Sequence, residues 1–535
     1  MFKKLFKGML GFSSKRLHCQ KTSDQSQEIR PLSSNIQTNL QALRQVFDLC
    51  IDVVFREFMV DAEQPIKAFV VFIGPLTDLE MISEQLIRPL TQQTSSLPPG
   101  VKLSITNAIQ VLQDYVLNVA ETNTIGDQTE LVNKVLEGNT ALVLDGSTSA
   151  IITGLRGGSV RNVDEPDTEP VVRGPKDGFV ESVDTNISLL RRRLKTSRLK
   201  VEAFKVGALT KTNVVVCYVK GIANDKVVNE VKQRISRVNM DSVLGSNYIE
   251  EMISDEAITL FPLIQYTERP DKTAASLVEG RVAVMVDNTP MVLLAPATFV
   301  TLLQATEDYY NNAFFATMIR LLRFIALNIA LVLPAVIVAL FSFHQTMVPT
   351  SLLTTAAAAR EGLPFPIFVE VMLMELTFEL LREAGVRMPK AIGQTVSTVG
   401  GLVIGQAAVT AGIVSPISVI VVALTAIANF AIPNYAAGTS IRILRFALII
   451  LAGFLGALGI MMGLMATLVH LCSLRSFGVP YLSPIAPLST KDLKDTMIRA
   501  PWWSMQTRPR LFGAKEPLRQ DPDQGPAKPD SGGGG

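Results

Sequence analysis

Apolar residues along this chain recur with a helical or strand period in some stretches and with no period in others. Residues 1–35 begin MFKKLFKGMLGF, where the apolar run is too broken for a signal-peptide core, and continue as SSKRLHCQKTSDQSQEIRPLSSN, which is poor in large apolar side chains. A segment that buries so little reads as a disordered cytosolic arm, amphipathic at its start and able to rest on a membrane. From 36 to 155 the pattern is that of a first α/β subdomain: helical spacing in IQTNLQALRQVFDLC, a strand KAFVVFIG stopped by Gly74 and Pro75, a helix in TDLEMISEQLIRPL, and the strands TALVLDG and AIITGL. Gly, Pro and charge break the pattern across 156–200, a linker that carries a connecting helix in VESVDTNISLLRRRL. A second α/β subdomain fills 201–300, with strands LKVEAFKVG and TNVVVCYVKG, a helix in DKVVNEVKQRISRV, and a hairpin GRVAVMVDNTPMVLLAP turning at DNTP.

The period changes again over 301–487. MIRLLRFIALNIALVLPAVIVALFSF, 318–343, runs more than eighteen nearly uncharged residues past Arg323, enough to cross a hydrocarbon layer about 30 Å thick. The stretches 391–414 and 417–432 are rich in small residues, and Gly400, Gly401, Gly405 and the Ser415–Pro416 break are predicted to permit close helix packing and movement. FALIILAGFLGALGIMMGLMATLVHL, 446–471, reads as one uninterrupted span, and 488–535 as a polar, flexible, Pro/Gly-rich tail with Trp502 and Trp503 at the interface. The predicted fold class is therefore an α+β cytosolic N-terminal region of two small α/β subdomains, followed by an all-α multi-span membrane domain with four or five spanning or re-entrant helices. Arg320 and Arg323 ahead of the first span place the large N-terminal region in the cytoplasm. Five crossings would leave the C-terminus outside, against the basic residues Lys491, Lys494 and Arg499 that open the tail, so one segment is expected to be re-entrant or interfacial.

Composition narrows the function. With 48% apolar and 18% charged residues and a mean hydropathy of +0.31, the chain is a composite of wet and greasy parts. A net charge of +2 without one basic face argues against a nucleic-acid partner. Cys19, Cys50, Cys217 and Cys472 form no CxxC pair, and only His18, His344 and His470 could join them, so neither a metal site, a cofactor nor a disulfide framework is expected. GLRGGSV lacks the spacing of a phosphate loop, and Asp145, Ser147 and Ser149 have no nearby histidine, so the chain is not expected to be an enzyme. Arg191, Arg192 and Arg193 in the linker point in different directions on a helix and are expected to pair with acids between domains rather than to bind lipid.

One stretch resists the lipid reading. VEVMLMELTFELLREAG, 369–385, sets Glu370, Glu375, Glu379 and Glu383 among apolar residues. Across 363–381 eleven Leu, Ile, Val or Phe residues contribute about −5 kcal/mol of transfer energy against about +9 kcal/mol for three glutamates, so the segment needs protein neighbours. Glu375, Glu379 and Glu383 share one helix face within about 80°, with Glu370 well off it. In a ring of subunits that face would line an ion pathway or gate for cations; in a single copy it would pair with Arg360, Arg382 or Arg387 and lock helices together.

Several long ordered motifs carry a resemblance: GPKDGFVESVDTNISLLRRRLKTSRLKVE (174–202), VAVMVDNTPMVLLAPATF (282–299), EDYY (307–310), PFPIFVEVMLMELTFELLREAGVRMPKAIGQTVSTVGGLVIGQAAV (364–409) and GVPYLSPIAP (478–487). Over 36–487 the chain resembles the A subunit of GerA-type spore germinant receptors. The resemblance implies an integral protein of the spore inner membrane, partnered by a transporter-like B subunit and a lipoprotein C subunit. It also implies a homo-oligomer in membrane lipid that conducts monovalent cations when nutrient is sensed. A secondary transporter, a non-conducting scaffold and a sporulation-stage paralogue without receptor partners are the alternatives.

Overall fold

The computed structural model describes residues 30–60, 65–93, 104, 107–157, 164–388, 401, 403–490, 492–509, 512–521 and 524–526. The chain folds as two compact units, one of residues 1–48 and 53–157, the other of residues 49–52 and 158–535.

The first unit is a five-stranded antiparallel sheet. Helix α1 (Ile36–Val46) is capped by Asn35, whose side chain accepts from the Gln37 amide. Strands β1 (Val53–Val60), β2 (Ile66–Ile73), β3 (Thr122–Ile125), β4 (Thr140–Leu144) and β5 (Ala150–Thr153) lie in the order β1-β2-β4-β5-β3. The central strand β2 reads IKAFVVFI because both its faces are covered. Ile82, Leu86 and Leu112, from short helical turns that include wide π-type ones, pack one face. Helices α1 and α2 (Gln128–Leu136) contact β2 elsewhere.

The second unit opens on an α/β layer of the same plan. Helix α3 (Val183–Arg193) precedes strands β6 (Leu199–Val206), β7 (Thr212–Val219), β8 (Gln265–Thr267), β9 (Val282–Val286) and β10 (Val292–Ala295), ordered β6-β7-β9-β10-β8. Helices α4 (Asp225–Arg237) and α5 (Ser246–Ile253) cover one face through Val231, Ile235 and Ile249. Helices α3 and α6 (Pro270–Val278) cover the other through Leu190 and Leu277. Each sheet is thus a hairpin, a helical connection, an edge strand, a helix and a second hairpin. LVLDGSTSAIIT and AVMVDNTPMVLLA are the two closing hairpins of what is structurally one plan used twice. The pattern of the chain missed three of the four edge strands, β1, β3 and β8, which are short or half-exposed and so lack a clean apolar run. Leu49–Asp52 belongs to this second unit: Cys50 bridges Val201 in parallel fashion, and the Ile51 amide donates to the Val201 carbonyl at 3.1 Å, covering the free edge of β6.

A helical bundle completes the unit. Its helices are α7 (Ala313–Ser342), α8 (Thr350–Ala358), α9 (Ile367–Arg387), α10 (Pro416–Phe430), α11 (Tyr435–Leu455) and α12 (Ala457–Ser473). Helix α7 is the hub, contacting α9, α10, α11 and α12, with Ala330, Ala335 and Val338 fully buried. By length and composition α7 and α11 are able to cross a membrane. The segment 446–471 is not the single span its apolar run predicts. It breaks at Gly456, held at φ +59° and ψ −139°, and the chain reverses. The reversal packs Gly463 on Leu448 and Leu451, and Gly459 so near the Leu451 carbonyl that a Cβ would lie 2.2 Å from it. Only glycine fits such an approach.

The hairpin sends the chain back to the end where α11 starts. His470 near the close of α12 meets Thr259 at 3.0 Å, and Ser440 near the start of α11 donates to the Leu260 carbonyl. The described part of the C-terminal tail is correspondingly docked rather than flexible. Phe512 is buried, the Lys515 amide donates to the Ile222 carbonyl at 3.0 Å, and Arg508 donates to the Val278 carbonyl at 2.8 Å. Asp495 accepts from Arg320 at 2.8 Å, and Arg320 and Arg323 are both spent on Asp308. The two arginines that marked the start of the first span are therefore buried anchors of the tail and of the 303–310 turn.

Candidate functional site

Each glutamate of 369–385 is ion-paired within one copy. Glu370 is fully buried; it faces Arg360 at 3.2 Å and accepts from the Ser415 amide at 2.8 Å and from the Ser418 hydroxyl at 3.0 Å. Its carboxylate thus sits at the N-terminus of α10, where orphan amides and the helix dipole favour an anion. Ser415 is the cap of that helix and Pro416 its first residue, which is the physical content of the Ser415–Pro416 break. Gly405 is buried, with a Cβ position 3.6 Å from Val419, and serves close packing; Gly401 is exposed with open space around it, so close packing within one copy does not call on it. Gly400 lies outside the described residues.

Glu375 and Glu379 meet α11. The Arg445 guanidinium lies 2.9 Å from Glu375 and 3.6 Å from Glu379, and Arg442 lies 2.7 Å from Glu379. Glu375 and Arg445 are each 1% exposed. Two arginines three apart on α11 therefore oppose two glutamates four apart on α9, so both pairs form between the same two helix faces. Glu383 pairs with Arg387 one turn on, in the open. Of the expected partners, Arg360 and Arg387 bind carboxylates, whereas Arg382 stacks over Tyr435 with its centre 5.4 Å from the ring. The spacing of Arg442 and Arg445 inside YAAGTSIRILRFALIIL is the sequence signal that matches them to the glutamates. The row of acids offers no free carboxylate face in one copy, because bringing the carboxylates into an apolar bundle costs too much without cations beside them.

The pairing is incomplete in hydrogen bonds. Both Glu375 oxygens, one Glu379 oxygen, the Nε of Arg442, and the Nε and both Nη atoms of Arg445 are buried without a hydrogen-bond partner. Arg442 Nη1 donates to Glu379 at 2.7 Å, whereas Arg445 and Glu375 touch as opposite charges with no N–H aligned along the contact. Burying unbonded polar atoms of this kind costs on the order of 1–3 kcal/mol each.

In the linker, Arg191 is fully buried and grips Asp52 through two bonds of 2.7 and 3.0 Å. Arg193 binds Asp177, and Arg192 too has a partner. Arg191 and Arg193 thus pair with acids of their own unit. Outside the bundle, burial pushes the Glu250 carboxyl up to about 7, and burial together with Glu250 pushes the Tyr266 phenol up to about 12.

Residues 41–511 match the family model described as Bacillus/Clostridium GerA spore germination protein. The chain belongs to the GerA family. Among GerA relatives, spore germination protein KA of Bacillus subtilis (strain 168) is 45% identical over 504 residues, covering 94% of this chain and 91% of the relative. Spore germination protein B1 of the same organism is 38% identical, covering 91% of this chain and 99% of the relative. The crystal structure of the N-terminal domain of the A subunit of the Bacillus megaterium spore germinant receptor GerK3 is 31% identical, covering 51% of this chain and 98% of that one, with a TM-score of 0.40.

Proposed function

We propose that this GerA-family chain is the membrane subunit of a nutrient-responsive receptor in the spore inner membrane. Several copies together form a cation-conducting path, alongside a transporter-like B subunit and a lipoprotein C subunit, and the chain itself has no catalytic role. On this reading the α/β layers and the docked tail face the cytoplasm, and the reversal at Gly456, which returns the chain to the end where α11 starts, supports placing the basic start of the tail on that same side.

The observation that carries the reading is the cluster of Glu375, Glu379, Arg442 and Arg445, charged, buried and short of hydrogen bonds. The Arg445–Glu375 contact forgoes its hydrogen bonds, so it gives up less on separating than a fully bonded pair does, provided that each charge meets another partner. The cluster therefore acts as a latch between α9 and α11 that sets the closed state, rather than as a lining that attracts cations. Spores carrying Glu375→Gln or Glu379→Gln at unchanged protein level should show an altered onset of potassium release; native kinetics in both variants would sink the proposal. The non-conducting scaffold is the second reading, favoured by the single-copy pairing of all four glutamates. Under it the same variants lose stability and leave ion release untouched.

A further inference from the structure

A cavity of about 850 Å³ opens where the C-terminal part of α9 meets the start of α11, on the side of the bundle that faces the second sheet. Phe378, Leu381, Val386 and Phe430 give it an apolar wall, and Arg382 stands in it with one Nη atom buried and lacking a hydrogen-bond acceptor. Behind Arg382 lie Arg442 and Arg445, and among the described residues the carboxylates paired with these three arginines are Glu375 and Glu379 alone. Within this cluster three positive charges face two negative ones, and one Nη of the odd guanidinium is buried without an acceptor, which is costly.

Among the described residues, neither acid that lines the cavity pairs with Arg382. Glu169 is held by Lys272 at 2.5 Å, and Glu307 accepts from the Val172 amide at 2.6 Å. Arg323, also on the wall, is neutralised by Asp308. Asn429 contributes a further buried oxygen without a donor.

We infer that this cavity binds one phospholipid with a net negative headgroup, drawn from the leaflet on the side of the second sheet. Its phosphate meets Arg382 and an acyl chain lies along Phe378, Leu381 and Val386. A phosphodiester supplies a negative charge and accepts from the unbonded Nη1 of Arg382, and the apolar wall fits a chain that no free anion has. The inference stands on the cavity and the charge count, not on conduction.

The test is thermal unfolding of the purified full chain in neutral detergent micelles, with phosphatidylglycerol or phosphatidylcholine added, or with inorganic phosphate and no lipid. Phosphatidylglycerol should raise the midpoint by roughly 3 °C or more and phosphatidylcholine should not. Arg382→Gln should abolish that shift and Arg382→Lys should keep part of it. Val386→Trp, which fills the apolar wall and leaves every charge in place, should abolish it as well and decides the matter if Arg382→Gln does not fold. An equal shift with phosphatidylcholine, a shift reproduced by inorganic phosphate alone, or a phosphatidylglycerol shift retained in Val386→Trp would each overturn the inference. None of these outcomes bears on ion release, so the receptor reading is tested separately.

Discussion

Two buried arginine–carboxylate contacts in the second unit look alike by distance and differ in kind. In the α/β layer, Arg191 meets Asp52 through two aligned hydrogen bonds, and a third goes from its Nη1 to the Thr196 carbonyl at 3.2 Å. In the bundle, Arg445 meets Glu375 at a similar distance, yet neither side chain has a hydrogen bond among the described residues. The first contact recovers its desolvation through directed bonds and behaves as a fixed lock. The second recovers only the Coulomb part and is suited to being broken. Burial and charge alone do not distinguish a lock from a latch; direction of the N–H groups does.

The sharpest way to break this comparison is to remove the same charge from each site. Asp52→Asn should cost about 3 kcal/mol, read as a lower denaturation midpoint of the full chain, because the fully buried Arg191 is left without its carboxylate. Next in size is Gly459→Leu, which drives a side chain into the Leu451 carbonyl and shifts the helix that carries Arg442 and Arg445. A loss of about 1–3 kcal/mol is expected, with the stability measured by the same unfolding assay. Glu375→Gln should cost less, about 1–2 kcal/mol, since no directed bond is removed and Glu379, 3.6 Å away, still faces Arg445. If Glu375→Gln proves as damaging as Asp52→Asn, the two sites are of one kind.

The smallest effect concerns pH. The folded pKa of Glu250, about 7, lies above its value of about 4.3 in an unfolded chain. Its contribution to stability is complete below about pH 4.3 and is lost as pH rises through 7. Glu250→Gln should therefore flatten a decline on the order of 1 kcal/mol between those limits, seen as a midpoint that no longer falls with pH.

Much of this was legible in the chain itself. Strands such as TNVVVCYV and the hairpin around DNTP stand out because central strands are apolar on both faces and the turn residues are specific. The need of 369–385 for protein neighbours followed from transfer energy alone, and the bundle supplies them. What the pattern could not show is contact between segments distant in sequence. Arg445 stands 70 residues from Glu375 and Asp52 stands 139 residues from Arg191, and no period links them. The reversal at Gly456 was hidden for another reason: hydropathy does not change through the turn, and only the left-handed backbone marks it. The docked tail was hidden because polar Pro/Gly composition describes what a segment lacks by itself, whereas Phe512 and Arg508 are held by the α/β layer they meet.

The central claim, that the α9–α11 cluster holds a conducting assembly shut, is tested most directly by electrical recording. Purified assemblies of this chain, native and Glu375→Gln, would be placed in planar bilayers under a potassium gradient. The account predicts currents that are rare in the native assembly and frequent in the variant, with protein content equal. Silence from both, or identical open fractions, would contradict it.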